Sequence, residues 1–253
     1  MNIPSGATRG IGLAITHALA SRGCSILGTY LTSTASATSL TTLITSLPNT
    51  STFHAIPADI ASPHSPQQIL TALQTHFPNR KVDIIINNAS LTPLVALGDL
   101  TCDILTNTFQ ANITFPTLLV QILLPYISRS GSARIINISS EGSKLARPRA
   151  SAYSASKAAL ESLTRTWAKE LGQEYNGLTC NAVLPGMVET DLWERLPAER
   201  KAFWEPVIRE TAVEGRLGRA EEVAGMVVWL AGDEAVWVSG ACLAVNGGGN
   251  VFA

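Results

Sequence analysis

The sequence predicts an α/β fold in which a parallel sheet carries helices on both faces. Three features carry this reading. Short runs rich in apolar and β-branched residues recur at Cys24 to Thr29, Val82 to Asn87, Arg134 to Ile138, Thr179 to Leu184 and Ala241 to Val245. Longer stretches of helical period separate them, so strand and helix alternate along the chain. The runs are nearly continuous in apolar residues, as expected of strands covered on both sides.

No internal repeat or domain boundary interrupts this pattern, and 253 residues suffice for one large domain with its own core. Hydrophobic residues make up 46% of the chain, charged residues 15%, and the formal net charge is -1, which excludes a disordered chain and a basic nucleic-acid binder. Met1 to Gly10 has neither a basic start nor an apolar run, and no later stretch is apolar for long enough to cross a bilayer. A soluble cytoplasmic protein with no membrane or nucleic-acid partner is therefore expected. Cys24, Cys102, Cys180 and Cys242 lie far apart with no CxxC, which suits reduced thiols. His17, His54, His64 and His76 lack the i,i+4 spacing of paired ligands, so no metal site is expected.

The elements follow in order. Only five residues precede Gly6, and Pro4 sits where the first strand should end, so that strand is short and lacks one ladder donor. Either the fold tolerates a stub or further residues precede Met1, and a native mass with extra N-terminal residues identifies the second case. Next, Ser5-Gly6-Ala7-Thr8-Arg9-Gly10-Ile11-Gly12 leads into Leu13, Ile15, His17, Ala18 and Leu19, a helix-like stretch. Glycines there let the backbone turn tightly and approach a pyrophosphate, which the N–H groups and dipole of the helix attract. Before a helix, near the start of an α/β chain, such a turn points to a dinucleotide.

The next strand ends Gly28-Thr29-Tyr30-Leu31-Thr32-Ser33, without the acid that would bind a ribose 2′-hydroxyl. Arg9 supplies positive charge, and Tyr30, Thr32 or Ser33 supply hydroxyls, a set suited to a 2′-phosphate. NADPH/NADP+ is thus expected over NADH. The plainer alternative for Arg9 is a solvated loop residue. The segment Leu31 to Thr52 is rich in Ser and Thr, yet Leu40, Leu43, Ile44 and Leu47 recur at i, i+3, i+4, i+7. This predicts a helix with one buried stripe, ended by Pro48.

Further on, Asn112 in Gln110-Ala111-Asn112-Ile113 lies four residues before Pro116, which has no N–H. The Asn112 carbonyl loses its usual helical partner and can hold a water; the alternative is a proline kink beside a solvated Asn. The apolar run Leu118 to Ile127 suits either a buried helix face or a subunit interface.

Tyr153-Ser154-Ala155-Ser156-Lys157 lies in a stretch, Ser151 to Trp167, that suits a helix, so Tyr153 and Lys157 share one face. A phenol of pKa about 10 is a poor acid at neutral pH, and each unit of lowering needs about 1.36 kcal/mol of preference for the phenolate. A nearby ammonium supplies it, more effectively in a partly dry site. Lys157 is therefore expected to tune Tyr153, with its other donors reaching the cofactor ribose. A carbonyl gaining hydride develops negative charge on oxygen, which a second donor stabilises. Ser140, after the strand Arg134 to Ile138, is the choice for that donor, and Ser139 is the neighbouring alternative. The region Met187 to Gly215, with Trp193, Phe203 and Trp204, reads as less regular and as a mobile insertion over a site. Its aromatics either line an apolar pocket or serve packing and subunit contacts.

In this order the motifs resemble the short-chain dehydrogenase/reductase family over nearly the whole chain. The resemblance implies one doubly wound Rossmann-type domain over residues 1–253, with a mostly parallel seven-stranded sheet and a substrate-covering insertion around 187–215. It implies catalytic roles for Asn112, Ser140, Tyr153 and Lys157, the Asn112 water linking the lysine to solvent. It implies cofactor contacts from Gly6, Thr8, Arg9, Gly10, Ile11 and Gly12 in the loop, from Tyr30 and Ser33, and from Asp59 and Ile60 beside the adenine. Asn88 and Ala89 in Asn87-Asn88-Ala89-Ser90, then Tyr153 and Lys157, then Pro185, Gly186, Val188 and Thr190 complete the implied contacts. Val238-Ser239-Gly240 through Val245-Asn246-Gly247-Gly248 resembles the family's last strand. Two departures stand out: Ser90 replaces the family's usual Gly, adding a side chain near the nicotinamide ribose, and the first strand is truncated.

Gly215-Arg216-Leu217-Gly218-Arg219 and Asn246-Gly247-Gly248 are similar to 3-oxoacyl-[acyl-carrier-protein] reductases and to polyketide and hydroxynaphthalene ketoreductases. The resemblance implies NADPH-dependent reduction of a ketone, a 3-oxoacyl thioester or a polyketide-like or aromatic ketone, to a secondary alcohol. Its implied partners are the small-molecule ketone, an acyl-carrier-protein or CoA thioester, and further copies of the chain in a tetramer or dimer. A non-catalytic NADP(H)-binding sensor or scaffold on the same fold is the alternative, although it has no need of the full Ser140, Tyr153, Lys157 and Asn112 set. Alcohol oxidation, the reverse reaction, uses the same residues.

Overall fold

The computed structural model describes residues 1–47 and 51–251. Strands β1 (Asn2–Pro4), β2 (Ile26–Tyr30) and β3 (Phe53–Pro57) alternate with helices α1 (Gly10–Ala20), α2 (Thr34–Thr45) and α3 (Ser65–His76). Then come β4 (Ile84–Asn87), α4 (Cys102–Phe109), α5 (Phe115–Leu123), β5 (Arg134–Ile138), α6 (Ser151–Glu174) and β6 (Thr179–Pro185). The chain continues through β7 (Val188–Glu189), α7 (Asp191–Glu194), α8 (Ala198–Arg209) and β8 (Gly218–Arg219) to α9 (Ala220–Ala231) and β9 (Cys242–Val245). Seven strands pair in the order β3-β2-β1-β4-β5-β6-β9, every pairing parallel, which is the expected doubly wound Rossmann-type sheet.

The continuous apolar runs have a direct cause. Successive strand residues point to opposite faces, and both faces are covered. Ile85 packs with Ile69, Leu73, Phe115, Leu119 and Trp167 on one side, while its neighbours Ile84 and Ile86 pack with Ile15, Leu19, Val223 and Val227 on the other. Leu119, Val120, Leu123 and Ile127 are buried in this chain's own core, so an ordinary helix face accounts for them.

Pro4 shapes the centre of the sheet. Asn2 donates its N–H to Ser25 of the β2 side and Ser5 donates to Ile86 of β4. Alternation therefore aims the missing Pro4 donor at β2, and β1 matches β2 at Asn2 alone but β4 at three positions. The short strand is anchored mainly through β4.

Three boundaries differ from expectation. Strand β3 was not among the predicted runs: it is an edge strand, only Phe53 in it is buried, and His54 and Pro57 break the apolar pattern. In α2 the buried stripe is Ala37, Leu40 and Ile44, with Leu43 45% exposed. Its helix assignment ends at Thr45, and the stop expected at Pro48 lies outside the described residues. The hydroxyls of Thr38, Thr41, Thr42 and Thr45 bond back to carbonyls four residues earlier, so this uncharged face satisfies itself. The region 187–215, expected to be less regular, instead holds α7 and α8. Helix α8 has no buried residue, which is why no apolar stripe announced it. No helix among the described residues is long and apolar enough to cross a membrane.

Candidate active site

The expected site residues gather at the carboxyl ends of the strands, around the crevice between β1 and β4 where the strand order reverses. Gly6 stands at φ +64°, a left-handed conformation that favours glycine. Its N–H donates to Thr29 Oγ1 at 3.1 Å, and the Ala7 N–H donates to the Thr29 carbonyl at 2.8 Å. A Cβ on Gly12 would lie 2.0 Å from the Gly6 carbonyl oxygen, so only glycine lets the loop fold onto the start of α1. Ser5 Oγ accepts the N–H groups of Asn88 and Ala89, each at 3.0 Å, and Asn88 Nδ2 donates to the Ser5 carbonyl at 2.9 Å. Thr190 lies against the same loop, with its Cγ2 3.3 Å from a Cβ built on Gly10.

These residues fit a dinucleotide phosphate. Arg9, exposed at the N-cap of α1, makes no side-chain cap, and no acid sits in the first turn. The helix thus presents N–H groups and its positive dipole end beside a free cation's stem, a setting suited to an anion. Tyr30 ends β2 half-buried. Ser33 is the N-cap of α2: it accepts the Ser36 N–H at 3.1 Å and donates to Ser36 Oγ at 2.6 Å. Asp59, exposed after β3, accepts the Ala61 N–H at 2.9 Å, and Ile60 beside it is buried. Pro185 ends β6, Gly186 donates its N–H to Val245 at 3.0 Å, and Val188 packs against the apolar cluster under α9.

Ser140 follows β5 and caps the turn Glu141 to Ser143, accepting the Gly142 N–H at 3.1 Å. That bond uses a lone pair and leaves the hydroxyl proton to be donated elsewhere. Tyr153 and Lys157 share one face of α6: Lys157 Nζ is 5.8 Å from the centroid of the phenol ring and donates to the Ile138 carbonyl at 2.8 Å. Burial pulls the Lys157 ammonium down to about 7, against the raising influence of Glu161. The Tyr153 hydroxyl departs from expectation. Burial pushes its pKa up, and what pulls it back is hydrogen bonding with Ser140 and the charge of Arg147. Lys157 Nζ, on the same helix face, is turned to the Ile138 carbonyl of β5.

Asn112 is 2% exposed and sits in a π-helical turn, Gln110–Thr114, between α4 and α5, so it is not the solvated Asn of a simple kink. Its Oδ1 accepts the Leu91 N–H at 2.8 Å and the Ser90 hydroxyl at 3.1 Å. Its Nδ2 donates to the Leu91 carbonyl and to Ser156 Oγ, both at 2.9 Å, and Ser156 Oγ donates to the Tyr153 carbonyl at 2.7 Å. One amide therefore ties the loop after β4 to the helix bearing Tyr153. The extra Ser90 side chain is turned toward this amide.

Sequence reasoning missed several supports. Ser5 and Thr29 hold the glycine loop, and a Ser before the first glycine with a Thr ending the next strand was the available signal. Ser139 Oγ donates to Glu161 Oε1 at 2.7 Å and is 3.3 Å from the Lys157 carbonyl, which places Ser139 behind the site. Buried Glu141 pairs with Arg147 and accepts from Asn246 and Asn250 Nδ2 at 3.3 and 3.2 Å. No local pattern marks these contacts, since they join segments up to 109 residues apart.

A family profile described as enoyl-(acyl carrier protein) reductase matches residues 6–250. The chain is 36% identical to a short-chain dehydrogenase/reductase, FrzI, of a Cladobotryum species, over 97% of this chain and 94% of that protein. It is 32% identical to a 3-oxoacyl-[acyl-carrier-protein] reductase of Synechocystis, over 98% and 96% respectively. Among solved structures, a blue fluorescent protein from a metagenomic library in complex with NADPH superposes with a TM-score of 0.88 at 32% identity, covering 99% of this chain and 97% of that one.

Proposed function

The chain belongs to the short-chain dehydrogenase/reductase family, and on that footing we propose that it reduces a ketone to a secondary alcohol with NADPH. It resembles the 3-oxoacyl-[acyl-carrier-protein] reductases and related ketoreductases within that family. The observation that carries the proposal is the convergence of Ser140, Tyr153 and Lys157 at the carboxyl end of β5.

The loop Gly6 to Gly12 would hold the pyrophosphate, with Arg9, Tyr30 and Ser33 toward a 2′-phosphate and Asp59 and Ile60 toward the adenine. Asn88, Ala89, Pro185, Gly186, Val188 and Thr190 would line the nicotinamide end. The NADPH complex of the solved relative supports this choice of cofactor, as does the absence of an acid after β2. When bound, NADPH supplies hydride to the carbonyl carbon. Tyr153 gives its phenolic proton to the carbonyl oxygen, and the Ser140 hydroxyl, freed by the Gly142 bond, donates to the same oxygen as charge develops on it. Lys157 positions and refills the tyrosine, and the Asn112 carbonyl, without a proline N–H four residues on, holds the water that passes protons from solvent.

For the substrate we read a 3-oxoacyl thioester, carried by acyl-carrier-protein or CoA, or a polyketide-like or aromatic ketone. The resemblance to 3-oxoacyl reductases supports it, and so do the aromatic residues of α8, where Phe203 and Trp204 meet edge to face at 5.0 Å. Residues 1–253 act as one domain, with 187–215 covering the substrate. A cytoplasmic homo-oligomer, tetramer or dimer, completes the proposal. Trp237, 97% exposed, and Trp229, 41% exposed, near the edge strand β9 support an interface there.

An NADPH-consumption screen over 3-oxoacyl thioesters, quinones, hydroxynaphthalenones and steroids tests the proposal. Preference for one class is expected. No oxidation of NADPH with any of them would favour a binding protein without turnover.

A further inference from the structure

Glu161 is a carboxylate inside the fold with no part in the reaction just described. It lies one helical turn beyond Lys157 on α6, and its side chain is 1% exposed. Oε1 accepts from Ser139 Oγ at 2.7 Å, and the same hydroxyl is 3.3 Å from the Lys157 carbonyl. Oε2 lies 2.7 Å from Lys144 Nζ, whose side chain is 38% exposed and so reaches toward solvent. Ser139 and Lys144 flank Ser140 on the segment between β5 and α6. An unpaired carboxylate this deep is costly, so the Lys144 contact and the Ser139 bond are what permit a charge here.

We propose that Glu161 is a positioning residue for the reduction: its carboxylate fastens the Ser140-bearing segment to α6 and serves as the counter-charge of the buried Lys157 ammonium. The proposal rests on the ketoreductase reading for its meaning in turnover. Among the described residues, few titratable groups surround Lys157 and Glu161. On α6 itself these are Tyr153, Glu161 and, one turn on, Arg165; from the segment after β5 comes Lys144; from β9 comes Cys242, which interacts with Glu161, Lys144 and Arg165; Cys180 of β6 interacts with Cys242. Glu161 is the group in this set that favours the charged lysine, opposing the burial that disfavours it. Lys144 contacts the same carboxylate and, as a second cation on it, is expected to act oppositely.

This arrangement makes two variants move Lys157 in opposite directions. Glu161→Gln keeps the volume and the acceptor for Ser139 but removes the negative charge, so the lysine should deprotonate at lower pH. Lys144→Gln removes the competing cation, so the lysine should deprotonate at higher pH. Nitrogen and carbon NMR of lysine labelled at Nζ and Cε reads this on the full chain without substrate, with the Lys157 signal assigned by its loss in Lys157→Met. Shifts of about one pH unit, down and up respectively, are expected. The high-pH limb of kcat/KM should follow in the same directions. Midpoints that stay put in both variants, or move the same way, would overturn the proposal, since a merely structural Glu161 changes stability and not the sign of these shifts. Should Glu161→Gln fail to fold, Lys144→Gln alone decides by its upward shift. The NMR midpoints judge Glu161 even if every ketone fails, so failure of the ketoreductase reading remains distinguishable.

Discussion

The guanidinium carbon of Arg147 lies 4.9 Å from the ring centroid of Trp204, which joins the segment between Ser140 and Tyr153 to helix α8. On its other side Arg147 pairs with buried Glu141, so its position is fixed from the core outward. If α8 covers the substrate, Trp204→Leu loosens that cover while leaving the core intact, because α8 buries no residue. A cation–π contact of about 1 kcal/mol corresponds to an approximately fivefold rise in KM, with kcat and melting temperature little changed. Steady-state kinetics beside a melting curve checks this, and an unchanged KM would detach α8 from substrate binding.

Arg9 is the cation of the glycine loop and caps no helix N–H with its side chain. Arg9→Ala should weaken NADPH binding about 10- to 100-fold, the worth of a charge-assisted hydrogen bond, and leave NADH binding nearly as it was. Titration with both cofactors measures it. Equal losses for the two would mean that Arg9 does not read the 2′-phosphate.

Asn112 makes four hydrogen bonds in a buried setting. Asn112→Ala leaves the Leu91 main chain and Ser156 without partners, which should cost about 3 kcal/mol and lower the melting temperature by about 6–12 °C. Denaturant unfolding reports the loss. A neutral substitution would show that water replaces the amide freely.

Lys157 titrates near 7 in the fold against 10.5 for an ordinary lysine. Between those values the unfolded chain binds more protons than the folded one, so this residue makes stability rise with pH across the window and adds no slope below it. Tyr153 and Cys180, both pushed up by burial, act in the opposite sense above their ordinary pKa values. Subtracting the unfolding free energies of Lys157→Met from those of the wild type largely cancels Cys180, and below pH 10 Tyr153 as well. That difference should grow from pH 7 to 9, whereas a difference that shrinks would contradict a buried, weakly basic Lys157.

Much of this architecture was legible in the sequence because its signals are local. Strand β5 spans the predicted Arg134 to Ile138, since Ile135, Ile136 and Ile138 mark a strand buried on both faces even with Arg134 and Asn137 among them. The Tyr153 and Lys157 spacing translated directly into a shared helix face. Strand β3 was hidden because an edge strand needs only one buried side chain, and α8 because it needs none. The surroundings of Tyr153 were legible only in part. Helical spacing tells which side chains are neighbours, but not that Lys157 spends its Nζ on the Ile138 carbonyl or that Arg147, six residues upstream, is the cation that Tyr153 feels.

The central claim is that the Tyr153 hydroxyl delivers the proton that accompanies hydride transfer. Comparing Tyr153→Phe with the wild type on the best ketone, with NADPH affinity measured in parallel, tests it most directly. Loss of turnover by about 100- to 10,000-fold with NADPH still bound is the predicted result. Near-normal turnover in the phenylalanine variant would contradict it.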